Sequence, residues 1–474
     1  MKLRNVMAVV CTAGLAAGTA LSATTASAIP AAPHGPKNVI VLIGDGMGYT
    51  HMNNASLYEN GVAYKQVSGT PGNVQEIQGT PSYTYQDFPV QVDMTTYWAE
   101  GSYDPMKAWT DFDYVKDNPT DSAAAGTAMA TGVKTYNAGL GVDYDGNPVE
   151  NISERAISMG KSAGSISSVQ FSHATPASYV VHNESRNDYL GIASEEVASE
   201  MSVIMGAGHP FYNDNNERLD APKYRYIAEE DYNALENGEH GWTLVDEKAD
   251  FESLTTGETP DRVFGIAQVG STLQQGRAGK SVEPYDVAFN EGVPSLETMT
   301  EGALNVLDNN DEGFSLMVEG GAIDWAGHAN DSARDIEEVM EFNKAVDAVV
   351  DWVEENSSWR ETLVIVTADH ETGYLEGADS NPNWSELTGG NGSVPGLTWN
   401  SGNHTNQLVP VYAKGAGAKE LARLATGEDP VRGEYLDNTD LANVLLEDLW
   451  AENNKGKAKG RHNGNDKQGN AKNR

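Results

Sequence analysis

Five short apolar runs punctuate the chain, and most of them stop abruptly at a glycine, an acid or a histidine. Asn38–Gly44 (Asn-Val-Ile-Val-Leu-Ile-Gly) is continuously apolar and β-branched, the pattern of a strand buried on both faces of a parallel sheet. Ser165–Val169, Gly313–Val318, Thr362–Ala368 and Leu408–Tyr412 read as further strands. After the third run the period changes. Ile336, Val339, Met340, Val346, Val349, Val350 and Val353 recur at i, i+3 and i+4, which predicts an amphipathic helix. The small-residue run Ser122–Thr131, set behind Pro119 and Thr120, predicts a helix of high propensity. Ile152–Met159 predicts another, and a helical stretch after Ser178 is expected to reach Arg186. Strands alternating with helices place the chain in the α/β class with a mostly parallel sheet.

The flanks follow other patterns. Lys2 and Arg4, the apolar stretch Val6–Leu21 and Ala26-Ser27-Ala28 together read as an export signal at 1–28, cut after Ala28. Cys11, the only cysteine, lies inside it, so no disulfide is expected in the mature chain. The remaining 474 − 28 = 446 residues suffice for a large core. No later stretch has the roughly 18 apolar residues of a membrane span. A periplasmic or secreted protein without a span is expected. Residues 451–474 carry seven Lys or Arg against two acids, with many Gly and Asn, and are expected as a disordered basic tail. Residues 29–450 then form one domain, with the polar stretches 187–300 and 373–400 as elaborations. Residues 50–118 look irregular, and no chemistry can be placed there.

Charge narrows the partners. With 31 Lys and Arg against 69 Asp and Glu the net charge is −38, or −40 once Lys2 and Arg4 are lost. A nucleic-acid partner is therefore not expected. Such a balance suits either an ordinary acidic protein or one adapted to salt, where the Debye length falls to about 3 Å at 1 M; the sequence favours salt adaptation.

The candidate chemistry sits at the strand ends. Gly44-Asp45-Gly46-Met47-Gly48 lacks the dinucleotide spacing, and its acid would repel a pyrophosphate but suits a cation. Asp45, Glu319, Asp324, His328, Asp369, His370 and His404 all lie just after apolar strands or in a loop leading into one. In an open α/β sheet those positions share the carboxyl edge, where ligands bind. Asp324 and His328, four apart, can aim at one ion. Mixed His and Asp ligands suit Zn²⁺, and an all-oxygen set of Asp, Thr and Glu suits Mg²⁺. Both sets are available. Ser122, at the start of a helix, is either an ordinary cap or a nucleophile beside an anion site. A serine so placed, with two metals, is what phosphoryl transfer through a covalent intermediate needs.

Five separated motifs, Ile43–Gly48, Asp121-Ser122-Ala123-Ala124, Val318-Glu319-Gly320, Thr367–Thr372 and Gly402–Thr405, together resemble the alkaline phosphatase family over about residues 37–448. The resemblance implies a three-layer α/β/α sandwich around a large central sheet. It also implies a phosphomonoesterase active at alkaline pH, commonly homodimeric, acting on small phosphomonoesters. By the same resemblance Ser122 forms a phosphoserine, and Asp324, His328 and His404 hold a first zinc. Asp45, Asp369 and His370 hold a second zinc, which also binds Ser122. Asp45, Thr175 and Glu319 hold magnesium. Arg186 matches the clamp on phosphate, with Asp121 as its orienting partner, and bidentate pairing makes that sense physically. His173 and Trp325 replace the Asp and Lys of the best-known bacterial pattern and resemble a subset of marine bacterial members. The expected consequence is weaker binding and faster release of product phosphate, with altered occupancy of the third metal site. A phosphodiesterase on the same scaffold and an exported binding protein without turnover are the alternatives; Ser122 and Arg186 favour the monoesterase.

Overall fold

The computed structural model describes residues 35–451. The expected export signal, and the basic tail beyond Ala451, lie outside the described residues. Asn38–Gly44 is buried along its whole length, as its run of Val, Ile and Leu requires. Each such side chain removed from water contributes about 1.5–3 kcal/mol. The strand pairs in parallel with Phe314–Gly320 on one side and Thr362–Thr367 on the other, so that Ile43 lies opposite both Glu319 and Thr367. That register brings Asp45, Glu319 and Asp369 to the same sheet edge.

These three strands belong to an 11-stranded sheet. From Thr362–Thr367 the order continues through Asn38–Gly44, Phe314–Gly320, Ser162–Gln170, Val203–Ala207 and Val263–Ile266 to Thr243–Val245, parallel throughout. On the other side Val409–Gly415 runs antiparallel to Thr362–Thr367, followed by Val90–Thr95, Gly433–Asp437 and Gly427–Asp429. The helices form two groups. Tyr49–Asn60, Leu296–Leu307 and Ser332–Asn356 pack on one another, as do Ser122–Thr131, Thr439–Asn443 and Ala418–Leu424. With the central strands buried throughout, the result is an α/β sandwich with a mostly parallel central sheet.

Three features differ from the sequence expectation. Residues 187–300 do more than decorate, because they supply Val203–Ala207, Thr243–Val245 and Val263–Ile266 to the sheet. Residues 50–118 are not irregular: they contain most of the helix Tyr49–Asn60, a hairpin of Tyr64–Thr70 with Asn73–Gly79, and Val90–Thr95. The helix leaves no periodicity in the sequence because its buried positions include His51, Asn53, Asn54 and Ser56, so that no apolar stripe forms. The helix before Arg186 spans only Ala174–Ser178. The chain then leaves the helical path to bridge Asn183 to Leu140, and Arg186 N–H donates to Ala138 O at 2.8 Å.

Candidate metal and phosphate site

The helix Ser122–Thr131 begins at the floor of a cleft of about 340 Å³ lined by Asp121, Ser122, Asn137, Arg186, His328 and His404, among others. The cap is Asp121, not Ser122: its Oδ1 accepts from Ala124 N–H at 2.9 Å. Ser122 is therefore the first helical residue, where backbone N–H groups lack helical partners and the dipole is positive. Its Oγ lies 3.3 Å from His370 Nε2. Gly126, one turn on, lets this helix meet Ala174–Ser178, since a Cβ there would stand 2.5 Å from Ser178 Oγ.

Asp121 serves two partners. While Oδ1 caps the helix, Oδ2 accepts from Arg186 Nη1 at 3.0 Å and from Ala138 N–H at 3.0 Å. Asn137 completes the loop, its Oδ1 accepting from Asp121 N–H at 2.9 Å. The cap and the guanidinium are thus fixed by one carboxylate.

Asp324 and His328 sit one turn apart on the helix Ala322–Ala329. His328 Nε2 lies 3.4 Å from Asp324 Oδ1, and His404 Nε2 lies 3.3 Å from the same oxygen. Beside them, His370 Nε2 is 3.2 Å from Asp369 Oδ2 and 3.5 Å from Asp45 Oδ1. His370 stacks on His404 with 3.6 Å between ring centres, so the two groups adjoin. Gly46 makes the meeting possible: it takes φ +73° and donates its N–H to Asp369 Oδ1 at 3.1 Å, and a Cβ there would press on Thr372.

The outward nitrogens are selected by the chain. His328 Nδ1 donates to Gly402 O at 2.8 Å and His404 Nδ1 donates to Thr120 O at 2.8 Å. The Thr372 hydroxyl donates to Asp324 Oδ1 at 2.6 Å and stands 3.3 Å from His370 Nδ1, whose proton it can accept. In all three rings the anchored Nδ1 leaves Nε2 as the nitrogen turned toward the candidate ion position. The Thr367–Thr372 motif gives no sign of this role beyond a hydroxyl two residues after a candidate ligand.

The third group is Asp45, His173 and Glu319, with Thr175 Oγ1 donating to Asp45 Oδ2 at 3.3 Å. Ser167, which lies opposite Glu319 in the sheet, donates its hydroxyl to Glu319 Oε2. Arg186 Nη2 reaches His173 Nε2 at 3.2 Å, and Trp325 packs on the His173 ring with centres 6.0 Å apart.

The electrostatics ask for cations. Burial, reinforced by neighbouring acids, pushes Asp45 well above the carboxylate range, Asp369 to about 7 and Glu319 to about 8. Burial also raises Asp324, but the hydrogen bond and charge of His404, with the charge of His328, outweigh it and hold that acid low. Burial and the neighbouring His404 keep His370 neutral, and burial and Arg186 lower His173 to about 3. Buried Asp45 Oδ1, Asp369 Oδ2 and Glu319 Oε1 have no hydrogen-bond partner. Unpaired acid oxygens converging with imidazole lone pairs are a donor set that fits divalent ions. All the residues singled out from sequence converge on this one edge.

Comparison with known proteins places the chain in a family. Residues 36–391 match the family described as alkaline phosphatase. Alkaline phosphatase 4 of Bacillus subtilis is 34% identical over 395 residues, covering 81% of this chain and 72% of that protein. Alkaline phosphatase of Escherichia coli K12 is 30% identical over 357 residues, 70% of each. The solved alkaline phosphatase from the Antarctic bacterium TAB5 superposes with a TM-score of 0.60 at 25% identity, over 88% of this chain and 99% of that one. Matched over most of its length in sequence and in fold, the chain belongs to the alkaline phosphatase family of metal-dependent phosphomonoesterases.

Proposed function

We propose that the chain is an exported phosphomonoesterase that works at alkaline pH through a phosphoserine on Ser122, with two zinc ions and one magnesium ion as resident cofactors. The observation that carries this reading is the position of Ser122 Oγ, at a helix start, 3.3 Å from His370 Nε2 and beside the Arg186–Asp121 pair. In the first half-reaction Ser122 Oγ forms a bond to phosphorus as the ester P–O bond breaks and the alcohol leaves with a proton. In the second, water displaces Ser122 and phosphate departs. Arg186 binds two non-bridging oxygens through its fork, with Asp121 fixing its orientation. Asp324, His328 and His404 would hold one zinc, Asp45, Asp369 and His370 the other, and Asp45, Thr175 and Glu319 the magnesium. Bound there, the ions supply Lewis-acid polarisation and ease deprotonation of the attacking oxygens.

In the same reading residues 1–28 are an export signal and residues 29–450 act as one domain. The working form is a homodimer, acting on small phosphomonoesters without a nucleic-acid partner. Among the described residues no helix is long and apolar enough to cross a membrane. The charge of −38 supports salt adaptation.

The test is hydrolysis of a chromogenic phosphomonoester at pH about 9, before and after EDTA, with Zn²⁺ and Mg²⁺ restored separately and together. Loss of activity by roughly 10³-fold or more and recovery only with both metals is expected, since metal stabilisation is worth several kcal/mol. Turnover of diesters alone would replace the reading with a phosphodiesterase. Between about 0.1 and 2 M salt, kcat/KM should change as screening relieves repulsion of the anionic substrate; a flat response would remove salt adaptation.

A further inference from the structure

We propose that His173 is a positioning residue for Arg186: its Nε2 accepts a hydrogen bond from the guanidinium, and while that bond stands neither ring nitrogen can ligate an ion. Arg186 Nη2 lies 3.2 Å from His173 Nε2. A guanidinium has five donors and no acceptor and stays protonated, so the contact requires a lone pair on Nε2. A neutral imidazole has one lone pair and one N–H. The proton therefore sits on Nδ1, and no lone pair is left for a cation. The other protonation states fail, because an Nε2–H tautomer or an imidazolium would turn a donor toward a donor.

The surroundings agree with this assignment. His173 Nδ1 is buried without a hydrogen-bond partner, in the group that includes Asp45 and Glu319. As an N–H it suits a water or a carboxylate and is unsuited to a metal. His328 and His404 present the opposite arrangement, with Nδ1 tied to backbone carbonyls. Arg186 is meanwhile gripped at both ends, Nη1 by Asp121 and Nη2 by His173, at 3.0 and 3.2 Å. The Trp325 ring lies edge-on to the imidazole at 65°. An ion in this third group is then held by oxygen alone, from Asp45, Thr175 and Glu319, and a bond from His173 to that ion would release Arg186. His173, with Trp325 packed on its ring, thus acts on the phosphate clamp, an extension that rests on Arg186 binding phosphate as proposed above.

The experiment uses the zinc- and magnesium-loaded protein labelled with ¹⁵N-histidine. Long-range ¹H–¹⁵N spectra report each tautomer, and the His173 signals are those missing from His173→Gln. An Nδ1–H tautomer at His173 is expected; an Nε2–H or a metal-shifted nitrogen would overturn the proposal. Calorimetry with inorganic phosphate supplies the second reading. Gln keeps an acceptor near the Nε2 position, so His173→Gln should bind phosphate within about twofold of the parent, whereas His173→Leu should bind it about tenfold more weakly. Equal affinity in parent and Leu variant, or equal loss in both variants, would also overturn it. Absence of turnover by the parent protein would sink the phosphatase reading and leave the tautomer and the binding comparison to be judged on their own.

Discussion

His404 and His173 border the same site, and they are held by opposite nitrogens. His404 is anchored through Nδ1 on Thr120 O, so Nε2 faces Asp324 and the candidate ion position. His173 spends its Nε2 lone pair on Arg186. The same side chain is a candidate ligand in one place and a support in the other, and the partner on the chain decides which. The depth of support differs too. Behind His370 stands Thr372, whose hydroxyl meets both Asp324 and His370. Behind Thr372 stands His51, which donates Nε2–H to Thr372 O at 2.9 Å and pairs through Nδ1 with Asp335 at 2.6 Å. His51 and Asp335 are fully buried, and Asn54 completes the carboxylate's bonding at 2.7 Å. His173 has no such layers: its orientation depends on Arg186.

The largest expected effect comes from breaking the deepest layer. His51→Gln leaves the Asp335 carboxylate buried without its cation and should cost about 3–5 kcal/mol in unfolding experiments. Burial lowers the His51 pKa, but Asp335 and Glu371 outweigh it and raise it to about 10 from 6.5. The folded state then holds a proton that the unfolded state releases above 6.5. This contribution is complete below pH 6.5 and is lost as pH rises toward 10, by up to about 1.4 kcal/mol per pH unit. The parent protein should lose stability across that window more steeply than His51→Gln. Parallel curves would show that His51 is neutral in the fold.

Thr372→Val removes the hydroxyl shared by Asp324 and His370 without altering any proposed ligand. Zinc affinity, measured by competition with a chelator, should fall roughly 10–100-fold. Thr372→Ser should restore it. The His173 tautomer should not change in either variant, and a change there would show that the two regions are coupled. The smallest effect is expected on the Arg186 side. Ala138 has φ +81°, and its N–H and C=O serve Asp121 and Arg186. Gly relieves the left-handed strain but loosens the unfolded chain, so Ala138→Gly should shift stability by about 1 kcal/mol or less. Phosphate affinity should be unchanged; a loss beyond tenfold would make this methyl part of the clamp.

The candidate ligands were legible because strand ends are legible. A continuous run such as Val39–Ile43 is buried on both faces, and a parallel sheet then forces the residue after each strand to one edge. Asp45, Glu319, Asp369 and His370 needed no more than that. The sheet's far side was less readable, since Val203–Ala207 and Thr243–Val245 are too short for a periodicity to stand out. His51 and Asn54 were hidden by being polar on a buried helix face, where the pattern that marks a core is inverted.

By itself, then, the sequence determined the α/β alternation, the acids and histidines at the sheet edge, and the serine at the start of its helix. These follow from burial and local propensity, which act over a few residues. Only the tertiary structure decided that Asp121 rather than Ser122 is the cap. It alone decided that Thr372 serves two candidate ligands, that His51 backs it from 321 residues away, and that His173 turns its lone pair to Arg186. Those choices depend on single hydrogen bonds between segments distant in the chain, and the direction of a hydrogen bond leaves no periodic trace in a sequence.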